Sequence, residues 1–182
     1  MDELLDILDA SGNYTGQRIL KSKAHVKGVF HPTVHIWFHT RAGDVLIQQR
    51  SGNKDTHPLL WDVSVAGHVG AGEDLILSAL REIKEEIGLT VGAGDLQKTG
   101  VFKSMQQHGN GLMDNEFHHT YMATLTVGLD ALVKQESEVR DLALIPLSHF
   151  MDELLHPEYS KKYVPHGLAY YRAIAKAVSE RL

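Results

Sequence analysis

Residues 66–90 read AGHVGAGEDLILSALREIKEEIGLT, a glycine-rich turn that runs directly into a helix-forming segment. Within DLILSALREIKEEI the apolar residues Ile76, Ala79, Leu80, Ile83 and Ile87 recur at three- and four-residue intervals, so they share one helical face. Gly88 stands where a left-handed residue would end that helix. Opposite the apolar face, Glu82 is a neighbour of both Glu85 and Glu86. Like charges at this spacing cost a helix roughly 0.2–0.5 kcal/mol per pair. Lys84 points the wrong way to relieve them, and Arg81, one turn from Glu85, compensates one charge. The remaining carboxylates present hard oxygen donors of the kind that Mg²⁺ or Mn²⁺ takes. A solvated acidic face is the plain alternative, and the residues around the helix count against it.

Outward from this helix the chain alternates strand and turn signals. LWDVSVAGHV is a strand-like run ending in the glycines, and TVHIWFHTRAGDVLIQQRS holds two β-rich runs separated by the turn Arg41-Ala42-Gly43-Asp44. ELLDILDASGNYTGQRILK reads as an edge strand or hairpin turned at Ser11, Gly12 and Asn13. Beyond the helix come the strand LQKTGVFKSM, the polar loop QQHGNGLMDN, the strand EFHHTYMATLTV, and a charged loop leading to a further strand in QESEVRDLALIPL. In EFHHTYMATLTV, His118 and His119 should face opposite sides of the sheet. Two helical segments close the chain, SHFMDELL and HGLAYYRAIAKAVSERL, the second with Leu168, Tyr171, Ala175 and Val178 as its apolar set. This order predicts an α+β fold, a mixed sheet flanked by helices in an α/β/α sandwich, with residues 1–182 as one domain.

Composition narrows the function. Charged residues are 23% and hydrophobic residues 43%, ordinary for a folded globular chain. A net charge of −5 with scattered Lys and Arg argues against a nucleic-acid polymer as partner. With no cysteine, a disulfide framework, a thiolate metal site and a cysteine nucleophile are all excluded. The acidic start MDELLDILDASG resembles no secretory signal, and no apolar stretch approaches bilayer-spanning length. A cytoplasmic protein with no membrane partner is expected.

The spacing Gly67, Glu73, Arg81-Glu82-Ile83, Glu85-Glu86, Gly88-Leu89 resembles, at every fixed position, the signature box of the nudix hydrolases, GX5EX7REUXEEXGU with U aliphatic. The resemblance implies a loop-helix-loop on an α/β/α sandwich and Mg²⁺- or Mn²⁺-dependent hydrolysis of a small substrate, a nucleoside or other diphosphate linked to a further group. By position it makes Glu85 and Glu86 the principal metal ligands and Glu82 a ligand or the base that deprotonates water. Arg81 would orient the glutamates, Glu73 would brace loop and helix, and the main-chain carbonyl of Ala66 would complete the metal shell. One more glutamate often comes from a later loop, for which Glu116 and Glu138 compete. The superfamily leaves a homodimer open.

Outside the box, AHVKGVFHPTVHIWFH, WDVSVAGHV and DNEF resemble type I isopentenyl-diphosphate isomerases and their hydrolase-like relatives from about Leu4 to about Leu147. That resemblance implies a metal held by His25, His31, His68, Asp114 and Glu116, with aspartate replacing one glutamate; imidazoles plus carboxylates suit Mn²⁺, Mg²⁺ or Zn²⁺. The isomerase mechanism also needs a cysteine, and Ala66 stands at its place. Hydrolysis is therefore expected over isomerisation, and the intact glutamates argue against a nucleotide-binding module without catalysis. Trp61 could stack on a base or prenyl group, Arg50 could reach a phosphate, and Lys161, Lys162 and Tyr163 could edge the cleft, although packing and surface roles explain these residues as well.

Overall fold

The computed structural model of the protein describes residues 2–182. The N-terminal segment forms the expected hairpin, β1 (Leu4–Leu8) and β2 (Tyr14–Leu20), whose turn is held by the Asp9 carboxylate accepting the backbone N–H groups of Ser11 and Asn13. The hairpin also braces the glycine-rich turn: Ala71 N–H donates to the Leu4 carbonyl, and Gly72 N–H to Asp6 Oδ2 at 2.6 Å. Between the hairpin and the first long strand lies a short helix that the sequence reading did not contain, α1 (Lys21–Lys27), which carries His25. Only Ala24 of its residues is buried, so it has no apolar periodicity to betray it.

The main sheet contains β3 (His31–His39), β4 (Asp44–Arg50), β5 (Trp61–Asp62), β6 (Val65–His68), β7 (Gln97–Gln107), β8 (Met113–Thr124) and β9 (Val139–Pro146). Its path is β5-β4-β3-β8-β7, with β6 added to β3 and β9 to β4. The pair β3 and β8 is parallel and the other pairs are antiparallel, a mixed sheet as expected. Two strand readings need correction. The turn at 41–44 is real, but β3 and β4 pair only at His39↔Val45 before diverging, and LWDVSVAGHV breaks into β5 and β6 on different partners.

Every residue of β3 is buried because the sheet is covered on both faces. Val34, Ile36 and Phe38, with Tyr121 and Ala123 of β8, pack against Ala79, Ile83 and Ile87 of α2 (Leu75–Ile87). Trp37 and Met122 point the other way, onto Phe150 of α3 (Leu147–Leu155) and Tyr170, Tyr171 and Ile174 of α4 (Leu168–Ser179). Helices thus lie on both sides, which makes the α/β/α sandwich. In α4 the buried face is Tyr170, Tyr171, Ile174, Ala177 and Val178, rotated from the expected set, and Leu168 is exposed. The cause is Tyr170, whose hydroxyl accepts the Trp37 indole N–H at 2.9 Å inside the core. Among the described residues, no helix is long and apolar enough to cross a membrane.

The helix α2 starts at Asp74, which accepts the N–H groups of Ile76 and Leu77, and ends at Gly88 with φ 69°. Its inward anchor is Ile83, fully buried against the sheet. Ile83→Ala is expected to cost roughly 2–5 kcal/mol of unfolding free energy, measured by urea denaturation. A loss below about 1 kcal/mol would mean that α2 is held by its caps and polar bonds rather than by this face.

Candidate functional site

Pleating puts His31, Thr33 and His35 on one face of β3, and Glu116, His118 and Thr120 in register beside them on β8. Where β3 and β4 diverge, the glutamates of α2 meet the same region: Glu86 Oε2 accepts Gln48 Nε2 of β4 at 3.0 Å and the Ala66 N–H of β6 at 3.2 Å. The result is a cavity of about 590 Å³ whose wall includes Gly67, Glu82, Glu85, Glu86, Glu116 and His118.

On the helix side Arg81 organises the carboxylates. Its guanidinium donates through Nε and one terminal nitrogen to the two oxygens of Glu73, each at 3.1 Å, and through the same terminal nitrogen to the His68 carbonyl. The other terminal nitrogen donates to Glu82 Oε1 at 2.7 Å and Glu85 Oε2 at 3.2 Å. That fork fixes two carboxylates relative to each other and to the turn, where Glu73 also accepts the Gly70 N–H. The Arg81 hydrogen bonds hold the Glu73 carboxyl below its ordinary range. Burial raises Glu82, and pushes Glu86 up to about 8. The expectation that all three glutamates lie opposite the apolar face is corrected here: Glu86 is only 4% exposed and Glu85 stays near the surface. Buried oxygens with too little nearby positive charge fit a hard divalent cation.

On the sheet side His25, His31, His68 and Glu116 bring one donor atom each within 4.8 Å of the others. His25 Nε2 lies 3.2 Å from His68 Nε2, and His31 Nε2 lies 3.4 Å from Glu116 Oε1, buried without a hydrogen-bond partner. Burial alone would raise Glu116, but the contact with His31 and the nearby His118 hold it low; the same contact raises His31 against its own burial. Burial, with Lys21 nearby, drives His68 well below the usual histidine value. Asp114 is not part of this donor group. It stands behind it, Oδ1 on His25 Nδ1 at 2.7 Å and Oδ2 on His108 Nε2 at 2.8 Å. These imidazoles outweigh the effect of its burial and bring it down to about 2.

The competitors Glu116 and Glu138 part here as well: Glu116 sits among the histidines, whereas Glu138 is paired with Lys54 on the cavity wall. Arg50 lines the cavity but is bound to Asp62 at 3.0 Å. Trp61 packs beside the α3/α4 core. Lys162 is paired with Glu153, and Lys161 and Tyr163 edge a separate smaller cleft. Of the residues now seen at the site, Gln48 and His108 gave no sequence signal, being single polar residues outside any motif.

The NUDIX domain family matches residues 29–166, a span that includes the turn, the carboxylate helix, His31, His68 and Glu116 but not His25. The chain belongs to the NUDIX hydrolase family. Nudix hydrolase 3 of Arabidopsis thaliana is 33% identical over 171 residues, 92% of this chain but 22% of the plant protein, so this chain spans less than a quarter of that relative's length. An isopentenyl-diphosphate Delta-isomerase of Serratia proteamaculans is 32% identical over 122 residues, covering 67% of this chain and 66% of the isomerase. In fold, DR0079 from Deinococcus radiodurans superposes with a TM-score of 0.67 at 17% identity over 98% of both chains. Both parts of the sequence resemblance, to Nudix hydrolases and to the isomerases, therefore find relatives.

Proposed function

We propose that this Nudix chain, acting as a single domain, hydrolyses a pyrophosphate bond in a small soluble diphosphate, such as a nucleoside diphosphate linked to a further group, and depends on Mg²⁺ or Mn²⁺. The observation that carries this reading is the convergence of Glu82, Glu85 and buried Glu86 on one cavity, with Arg81 tying the first two together. Glu85 and Glu86 would hold the cation, with Glu82 and the main chain at Ala66 beside them. When bound, the cation supplies charge neutralisation at the diphosphate and a lowered pKa for water. Glu82, whose pKa burial raises, is suited to take the proton of the attacking water. Lys21 lines the cavity as well and adds positive charge that would favour an anionic ligand.

The group His25, His31, His68 and Glu116 supports a second cation position of the isomerase-like kind, with Asp114 orienting His25. The cation would compensate the orphaned His31 Nε2. Isomerisation of isopentenyl diphosphate is nonetheless disfavoured, because Ala66 offers no group to move a proton at carbon and the chain has no cysteine. The deciding experiment supplies Mg²⁺, ¹⁸O-labelled water and a panel of nucleoside di- and triphosphates, nucleotide sugars, dinucleotides and isopentenyl diphosphate. A product phosphate carrying ¹⁸O is expected. Conversion of isopentenyl diphosphate to its isomer without cleavage, or bound nucleotide left intact across the panel, would overturn the hydrolase reading.

A further inference from the structure

Deeper in the cavity wall lies a second set of imidazoles that hydrolysis does not use. His35 of β3, His118 of β8 and His166, just before α4, each present a ring nitrogen within 4.8 Å of the other two. His35 and His118 are 3% exposed, and the His166 side chain is 6% exposed. His35 and His118 stack with centroids 3.9 Å apart and His166 stands nearly perpendicular to both, so the in-plane lone pairs of the stacked pair run side by side and one of these two rings tilts for both to meet a single ion.

Each ring has one nitrogen engaged from behind. His35 Nδ1 is 2.8 Å from the Tyr170 hydroxyl, His118 Nδ1 is 2.8 Å from Thr33 Oγ1, and His166 Nε2 is 2.7 Å from Asp62 Oδ1. Asp62 is also bound by Arg50, and as a carboxylate it only accepts, so the proton of His166 lies on Nε2. In the neutral ring that leaves His166 Nδ1 as the nitrogen with the free lone pair. Both His166 Nδ1 and His118 Nε2 are buried with no hydrogen-bond partner. Orphaned buried nitrogens on adjacent rings are costly unless something occupies the space between them.

We propose that His35, His118 and His166 form a Zn²⁺ site, with His35 Nε2, His118 Nε2 and His166 Nδ1 as ligands and the fourth position open to the cavity. Three imidazoles without a carboxylate among them suit Zn²⁺ and are poor ligands for Mg²⁺. Asp62, Tyr170 and Thr33 provide the outer hydrogen bonds that orient ligating histidines. The site is separate from the His25, His31, His68 and Glu116 group: Glu116 Oε2 approaches His118 at Nδ1, 3.4 Å away, on the side opposite the proposed metal.

The test is metal binding without substrate, so it stands or falls apart from hydrolysis. Crystals of the chelator-stripped protein soaked in Zn²⁺, measured at the zinc absorption edge, should show an anomalous peak between His35, His118 and His166. In solution, Asp62→Asn is expected to weaken one Zn²⁺ equivalent by ~10–100-fold, His166→Gln to remove it, and His25→Gln to leave it in place. Zn²⁺ found only at the His25, His31, His68 and Glu116 group, or an unchanged Zn²⁺ stoichiometry in folded His166→Gln, would overturn the proposal. The anomalous map uses the unaltered protein and decides the matter even if the variants do not fold.

Discussion

Glu85→Gln and Glu86→Gln are each expected to lower Mg²⁺-dependent turnover by roughly a thousand-fold or more while leaving thermal unfolding near that of the parent protein. The rate follows from losing a ligand to a cation whose charge stabilisation is worth several kcal/mol, at about 1.4 kcal/mol per tenfold. Stability is spared for different reasons at the two positions. Glu85 lies near the surface at the end of α2 and loses little more than a partly exposed hydrogen bond to Arg81. Glu86 is buried beside Glu82 with a pKa raised to about 8, so an uncharged isostere removes a burden from the metal-free protein. The amide can keep one oxygen toward the Ala66 N–H and Gln48 Nε2. The contrast with a structural role is sharp: a side chain kept for packing would lose stability and rate together. Turnover within tenfold of the parent in either folded variant would remove that glutamate from the metal mechanism.

The helix α2 was legible because the signals read for it are local: the apolar interval from Ile76 to Ile87 and the glycine at 88. The hairpin of β1 and β2 was legible for the same reason. What escaped depends on partners far away in sequence. Whether Glu86 is exposed is decided by Gln48 of β4 and Ala66 of β6, and the helical period alone makes it look like its neighbour Glu85. The parallel register of β3 on β8 lines up His31 with Glu116 and Thr33 with His118 across more than eighty residues of chain, and no interval within either segment specifies it. Short α1 went unseen since it buries one alanine, yet it delivers His25 to the site. The structure brings the histidines at 25, 31 and 68 together with Glu116, and Asp114, which the resemblance places in the same set, contacts His25 from outside the group. His166 carried no mark in the sequence, because its neighbours His35 and His118 lie on strands well before it in the chain.

Gly67→Ala is expected to have the other large effect, and it tests why the box begins with glycine. A Cβ built at Gly67 would lie 2.0 Å from Glu82 Cδ and 2.3 Å from its Cγ and Oε1. The backbone there cannot simply yield, since Gly67 is paired with Val34 inside the sheet. The side chain cannot either without losing the 2.7 Å bond from Arg81. Overpacking of this sort costs about 1–3 kcal/mol, and the displaced Glu82 should take turnover down by roughly a hundred-fold, as for loss of a general base. The two causes separate in a double-mutant cycle on stability. In a Glu82→Ala background the clashing atoms are gone, so adding Gly67→Ala should cost little, giving a coupling of about 1 kcal/mol or more. If Gly67→Ala destabilises equally in both backgrounds, the glycine serves the strand rather than the glutamate. If coupling appears, close approach between β6 and α2 is the reason that this position has no side chain: the carboxylate lies against bare backbone, fixed from behind by Arg81 and open to the cavity in front.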